Sequence, residues 1–149
     1  MDALAKLKTL KTLLVDDDPF IRDAMKLAFK RKQFPLCTAD TAEEGLKAMH
    51  AETFDIIISD FKLPGSSGLT ILKHAAASQP GSIKVLISAT GSDEVVSAAY
   101  RIGADDFLPK PFTLETLLAT LLMHLGKGGN QEGEMFENAA LATPFSSSI

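Results

Sequence analysis

An α/β fold is predicted for this chain: a doubly wound sheet of five parallel strands in (βα)5 order, with helices on both faces and therefore three layers, α/β/α. Three observations predict it. Apolar runs too short for helices alternate with longer stretches of helical period, the signature of parallel strands joined by crossover helices. Two of the runs, Ile56-Ile57-Ile58 and Val85-Leu86-Ile87, are continuously apolar, as strands covered on both faces are. The length of 149 residues, with 46% hydrophobic and 23% charged side chains, suits one globular domain with a real core.

The elements follow in order. Residues 1–10 are read as an N-terminal extension in which Lys6 and Lys8 interleave with leucines, so no continuous apolar run of a signal peptide exists there. Leu13-Leu14-Val15 opens the domain as the first strand. Ile21/Ala24/Met25/Ala28 recur at i, i+3, i+4, i+7, an amphipathic helix whose end carries Arg31-Lys32 to complement its dipole. Leu36-Cys37-Thr38 is the second strand, and Thr41 opens a helix to Met49 with Glu43-Glu44 in its first turn. The third strand, Ile56–Ile58, leads to a helix over Leu69–Ala77 that stops near Pro80-Gly81. The fourth strand, Val85–Ile87, precedes the stripe Val95/Ala98/Ala99/Ile102. Phe107-Leu108 is the fifth strand, and Leu114/Leu117/Leu118/Leu121/Leu122/Leu125 make the last helix behind an N-cap at Thr113. The domain thus spans residues 11–125, and Gly126-Lys127-Gly128-Gly129-Asn130 opens a flexible tail or linker remnant over 126–149.

Composition excludes several classes of function. A net charge of −4 gives no global attraction to nucleic acid or anionic lipid, so direct nucleic-acid binding by this domain is not expected. No stretch approaches the roughly 20 apolar residues that span a bilayer, so no membrane role is expected. Cys37 is the only cysteine, which rules out an internal disulfide and makes a cytoplasmic location the simpler expectation.

The chemistry collects at one rim. In open α/β sheets ligands bind outside the carboxyl ends of the strands. The first strand ends in Asp16-Asp17-Asp18, the third in Asp60, the fourth in Ser88, and the fifth is followed by Lys110. Each alone has a bland explanation, as a helix cap or a strand end; together they deliver polar groups from four strands to one edge. Carboxylates from adjacent strands repel by roughly 4 kcal/mol at about 4 Å and an effective dielectric near 20, so the cluster demands a cation. An all-oxygen donor set with room for water suits Mg²⁺, and the absence of His or Cys from this edge disfavours zinc. A carboxylate beside such an ion can act as nucleophile toward phosphorus, with Ser88 binding one phosphoryl oxygen and Lys110 pairing with another.

The residues Leu14-Val15-Asp16-Asp17-Asp18-Pro19, Ser59-Asp60-Phe61-Lys62-Leu63-Pro64 with Gly68, Ser88-Ala89-Thr90 and Lys110-Pro111-Phe112, in that order and spacing, resemble the receiver domain of the response-regulator family over about residues 11 to 125. The resemblance implies a flavodoxin-like strand order, 2-1-3-4-5. It implies a phosphoacceptor of a two-component pathway, receiving a phosphoryl group on Asp60 from a sensor histidine kinase or a histidine phosphotransfer protein. Such a domain assists its own phosphorylation and dephosphorylation and is not a conventional enzyme. It implies Asp17 and Asp60 as direct Mg²⁺ ligands, Asp16 acting mostly through water, and the backbone carbonyl of Lys62 as a further metal oxygen. Ala89 would lend its backbone N–H to the phosphoryl group, the Lys110-Pro111 bond would be cis, and Ser88 with Phe107 would form the conformational switch. Lys62 and Thr90 fall where family members tune the lifetime of the phosphate. The helix carrying Tyr100 and Arg101, with the fifth strand, would be the face for a downstream protein target, and the last helices a place for homodimerisation after phosphorylation.

Two other classes fit less well. A phosphatase of the haloacid dehalogenase type would use Asp16-x-Asp18, but Phe20 stands where its pattern continues and Asp60 would have no role. A non-phosphorylated interaction module of the same fold would be expected to have lost an acidic or lysine position, and none is lost. His50, His74 and His124 fall on separate helices away from the rim and are read as surface imidazoles.

Overall fold

Residues 2–125 are described by a computed structural model of the chain, and the tail read over 126–149 lies outside them. The elements are α1 (Ala3–Leu7), β1 (Thr12–Val15), α2 (Pro19–Lys32), β2 (Leu36–Ala39), α3 (Ala42–Ala51), β3 (Ile56–Asp60), the short strands β4 (Lys62–Leu63) and β5 (Ser66–Ser67), α4 (Gly68–Ser78), β6 (Ile83–Ser88), α5 (Asp93–Arg101), β7 (Asp106–Pro109) and α6 (Leu114–Leu125). Five strands pair in parallel in the order β2-β1-β3-β6-β7, which is the predicted 2-1-3-4-5 order once the small β4–β5 ladder is set aside.

The apolar strands divide by alternation into two cores. Leu13 and Val15 of β1, Ile57 of β3 and Leu86 of β6 point to one face, where Met49, Ile71, Leu72 and Ala99 of α3, α4 and α5 cover them. Leu14, Ile56, Ile58, Val85 and Ile87 point to the other, beneath Met25 and Phe29 of α2 and Leu117 and Leu121 of α6. A run of apolar residues is required at β3 and β6 because both faces are covered.

Helix starts are set by side-chain caps. Asp18 accepts from Phe20 N–H with Pro19 in the first turn, Thr41 accepts from Glu44 N–H, Ser67 from Leu69 N–H, Ser92 from Val95 N–H, and Thr113 from Thr116 N–H. The amino-terminal rim of the sheet is tied by side chains as well. Asp55 carboxylate accepts from Lys11 N–H at 2.8 Å, Asp105 from Lys84 N–H at 2.8 Å, and the Gln79 side-chain oxygen from Phe54 N–H at 2.7 Å.

Two sequence expectations are refined. The N-terminal segment read as an extension contains α1, capped by Asp2, and its Leu7 is 3% exposed within the α2–α6 core. His124, read as a surface imidazole, is buried: it lies on the inward face of α6, where its Nε2 is 2.9 Å from Asp106 Oδ2. The apolar period of α6 hid this, because a histidine one turn from Leu121 and two turns from Leu117 shares their buried face.

Candidate functional site

Register alone brings the acidic residues together. Val15 pairs with Ser59 and Asp60 with Ile87, so Asp16 and Asp60 leave adjacent strands side by side. Ser88 pairs with Pro109, which places Lys110 one step beyond the end of β6. Lys110 N–H donates to the Ser88 carbonyl at 2.8 Å, fixing the two loops to each other, and the Lys110-Pro111 bond is cis.

Asp16 is wholly buried; its Oδ1 accepts from Asp18 N–H at 2.9 Å and its carbonyl accepts from Arg22 at 2.8 Å. Asp60 is buried and Asp17 exposed, and one carboxylate oxygen from each of the three lies within 4.8 Å of the others. Lys110 Nζ sits 3.0 Å from both Asp16 Oδ2 and Asp60 Oδ2, donating a hydrogen bond to the second. Its contact with Asp16 is an ion pair outside hydrogen-bond geometry, so Asp16 Oδ2 remains buried without a hydrogen bond.

One ammonium faces three carboxylates. Burial pushes the Asp60 carboxyl above its ordinary value; the Lys110 hydrogen bond opposes this, and the Asp16 and Asp17 charges add to it. Burial pulls the Lys110 ammonium down, but its close contacts with the Asp16 and Asp60 carboxylates, and their charges, outweigh it and leave the group above its usual value. The donor set is all oxygen, one of those oxygens is buried without a hydrogen-bond donor, and the local charge is negative. These features fit a hard divalent cation such as Mg²⁺.

Gly68 explains itself only in three dimensions. A Cβ there would lie 2.1 Å from the Asp60 carbonyl oxygen, so α4 begins against the backbone of Asp60. The turn that leads to it is the β4–β5 hairpin, with Pro64-Gly65 at its tip and Gly65 at φ +65°. Lys62 is exposed on β4.

Ser88 is buried, and its hydroxyl donates to the Thr90 carbonyl at 2.8 Å while accepting from Thr90 N–H at 3.0 Å. Ala89 is exposed beside it. Phe107 is half-buried on β7, and its ring lies against the next turn of this loop, where a Cβ on Gly91 would come within 3.3 Å. Asp18 has its carboxylate engaged as the α2 cap, which removes it from the acidic cluster.

Sequence reasoning missed the network on the α5–β7–α6 face. Asp106 accepts from Phe107 N–H at 2.8 Å and from the Tyr100 hydroxyl at 3.4 Å, and also contacts His124. Burial, then the Asp106 charge, push the Tyr100 phenol up. The adjacent acidic pair Asp105-Asp106 was the available signal; one carboxylate faces Lys84 at 3.8 Å and the other faces His124.

Comparison with known proteins gives one family. Residues 12–122 match the response regulator receiver domain. The transcriptional activator protein PfeR of Pseudomonas aeruginosa is 36% identical over 107 residues, which cover 72% of this chain and 35% of that protein. The DNA-binding transcriptional regulator NtrC of Klebsiella pneumoniae is 30% identical over 131 residues, covering 88% of this chain and 28% of that protein. Among solved structures, a response regulator protein from Burkholderia pseudomallei, with a phosphorylated aspartic acid, calcium ion and citrate, superposes with a TM-score of 0.73 at 26% identity. That match covers 91% of this chain and 75% of the other. The chain spans about a third of the length of the curated relatives it matches.

Proposed function

The chain belongs to the response regulator receiver domain family, and from that premise we propose that it accepts a phosphoryl group on Asp60 and switches conformation to signal to a downstream protein. The observation that carries this reading is the meeting of Asp16, Asp17 and Asp60 within 4.8 Å, with Lys110 3.0 Å from Asp60. The Burkholderia protein that this fold resembles carries both a phosphorylated aspartic acid and a divalent cation, which supports it.

In the proposed reaction an Asp60 carboxylate oxygen attacks phosphorus as the bond to the donor's imidazole nitrogen breaks, giving an acyl phosphate and a free histidine on the donor. Mg²⁺ would be held by Asp17 and Asp60, through water by Asp16, and by the Lys62 carbonyl; when bound it offsets the charge of the carboxylates and the transferring phosphoryl group. Lys110, already beside Asp60, pairs with a phosphoryl oxygen. The Ala89 N–H and the Ser88 hydroxyl donate to the others. Ser88 must first leave Thr90, and because the same loop packs on Phe107, its movement frees space into which the ring turns. Phe107 has no hydroxyl, so packing alone drives this turn. Lys62 and Thr90 are placed to tune the lifetime of the phosphate.

The donor is a sensor histidine kinase or histidine phosphotransfer protein. The apolar surface nearest the acceptor, formed by Phe20, Ile21, Ala24, Pro111 and Phe112, suits its docking, with Phe20 80% exposed. The α5–β7–α6 face, bearing Tyr100, is assigned to the downstream target or to a second copy of the chain on phosphorylation. No helix among the described residues is long and apolar enough to cross a membrane, and the reading places the domain in the cytoplasm.

The test is labelling by a small acyl-phosphate donor. Magnesium-dependent incorporation of one equivalent into the wild type and none into Asp60→Asn is expected. No labelling of the wild type would favour a non-phosphorylated module, and multiple turnover of a phosphate ester would favour a phosphatase.

A further inference from the structure

Where α3 adjoins α4, two of the three histidines, placed 24 residues apart in sequence, come together. The His50 ring on α3 and the His74 ring on α4 have centroids 5.2 Å apart at an interplanar angle of 27°. His50 is exposed and His74 half-buried, and among the described residues neither imidazole makes a hydrogen bond or ion pair to another side chain. Both rings thus keep their nitrogens free.

We propose that His50 and His74 form a second metal site, distinct from the acidic rim, that takes a borderline divalent transition metal of the zinc class. Imidazole is a ligand such ions prefer, whereas Mg²⁺ selects oxygen donors, so the two sites sort metals by ligand chemistry. The spacing fits. Two imidazole nitrogens, each about 2.0–2.1 Å from one tetrahedral zinc, hold their ring centroids roughly 5 Å apart.

The supporting framework is rigid at this point. Gln79, buried at the end of α4, donates its side-chain amide to the carbonyls of Met49 and Glu52 at 3.0 and 3.1 Å and accepts from Phe54 N–H. That staple joins the carboxyl end of α3, one residue from His50, to the end of α4. The two rings are therefore brought together before any ion arrives, which reduces the ordering cost of binding. Glu43 and Lys47 line the groove beside His50. Water would complete the coordination shell.

Zn²⁺ titrated calorimetrically into the full chain in saturating Mg²⁺ tests the site. One equivalent is expected to bind the wild type, Asp60→Asn and His124→Gln alike. His50→Ala and His74→Ala should each weaken it by at least the roughly 10–100-fold that losing even an outer-sphere partner costs. Unchanged Mg²⁺ binding by these two variants shows that they fold. Zinc binding that persists in the His50→Ala/His74→Ala double variant, or that disappears in Asp60→Asn, overturns the proposal, as does a wild type that takes no zinc and whose rings merely stack.

Discussion

At Asp60 burial and the charges of Asp16 and Asp17 act against the Lys110 ammonium, and burial and repulsion win. A carboxyl held above its ordinary value of 3.8 binds its proton more tightly in the folded chain than in the unfolded one. Its contribution to stability is present below the unfolded value and lost as pH rises through the folded one, so magnesium-free protein loses stability from this residue on the way from acid to neutrality. Asp60→Asn is accordingly expected to raise the Tm of the magnesium-free protein at neutral pH by a few degrees, about 1 kcal/mol for a domain of this size. Thermal melts with and without Mg²⁺ check this, since the ion should stabilise the wild type more than the variant. Lys110 follows the same sign in a more alkaline window: its raised value makes a contribution that is complete below 10.5 and lost as pH rises above it. Lys110→Ala leaves two buried carboxylates without a counterion and should cost roughly 2–4 kcal/mol in urea melts, most of it recovered with Mg²⁺. These residues were legible from the sequence because each ends a strand in an apolar context. His124, Gln79 and Lys84 were not, because their partners Asp106, Phe54 and the Ser82 carbonyl become neighbours only through folding or a local turn.

The elements carry a sharper constraint than their propensities suggest. Gly68 opens α4 where a helix former would ordinarily be preferred, and the Asp60 carbonyl occupies the space a Cβ would need. Gly68→Ala is expected to cost roughly 3 kcal/mol or more, the upper end for overpacking, and to displace Asp60. Gly81→Ala, with nothing within 4 Å of the added carbon, should stay within about 0.5 kcal/mol. Equilibrium unfolding of the two variants separates close approach from a general intolerance of alanine. The strands and long helices could be read in order because alternation and helical period are local signals. The β4–β5 hairpin could not, since its two-residue strands are shorter than any period. The caps at Thr41 and Thr113 were readable in advance, whereas those at Asp18, Ser67 and Ser92 blend into motifs or polar loops.

Across the whole molecule, the strand order and the convergence of four strand ends at one rim follow from the linear sequence once the family resemblance supplies the order, and the structure has both. The role of the first ten residues did not follow, because two lysines among leucines give α1 no clear apolar face. Leu7 is nonetheless buried against the core beneath α6, and Leu10 packs beside it. Leu7→Ala should cost roughly 2–3 kcal/mol, the low end for a buried leucine since so short a helix can settle into the gap. A drop in Tm, with labelling of Asp60 retained, checks that this segment stabilises the domain without entering its chemistry.

The ties along the amino-terminal rim of the sheet, from Asp55, Gln79 and Asp105, have a mechanical consequence. The strands are riveted at one end and crowded with mutually repelling charge at the other, like the tines of a fork held at the handle. Ligation or modification at the crowded end should spread or draw in the tips while the handle stays still. Hydrogen exchange would register this as changed protection at Phe61 and Lys110 beside unaltered protection at Lys11, Phe54 and Lys84.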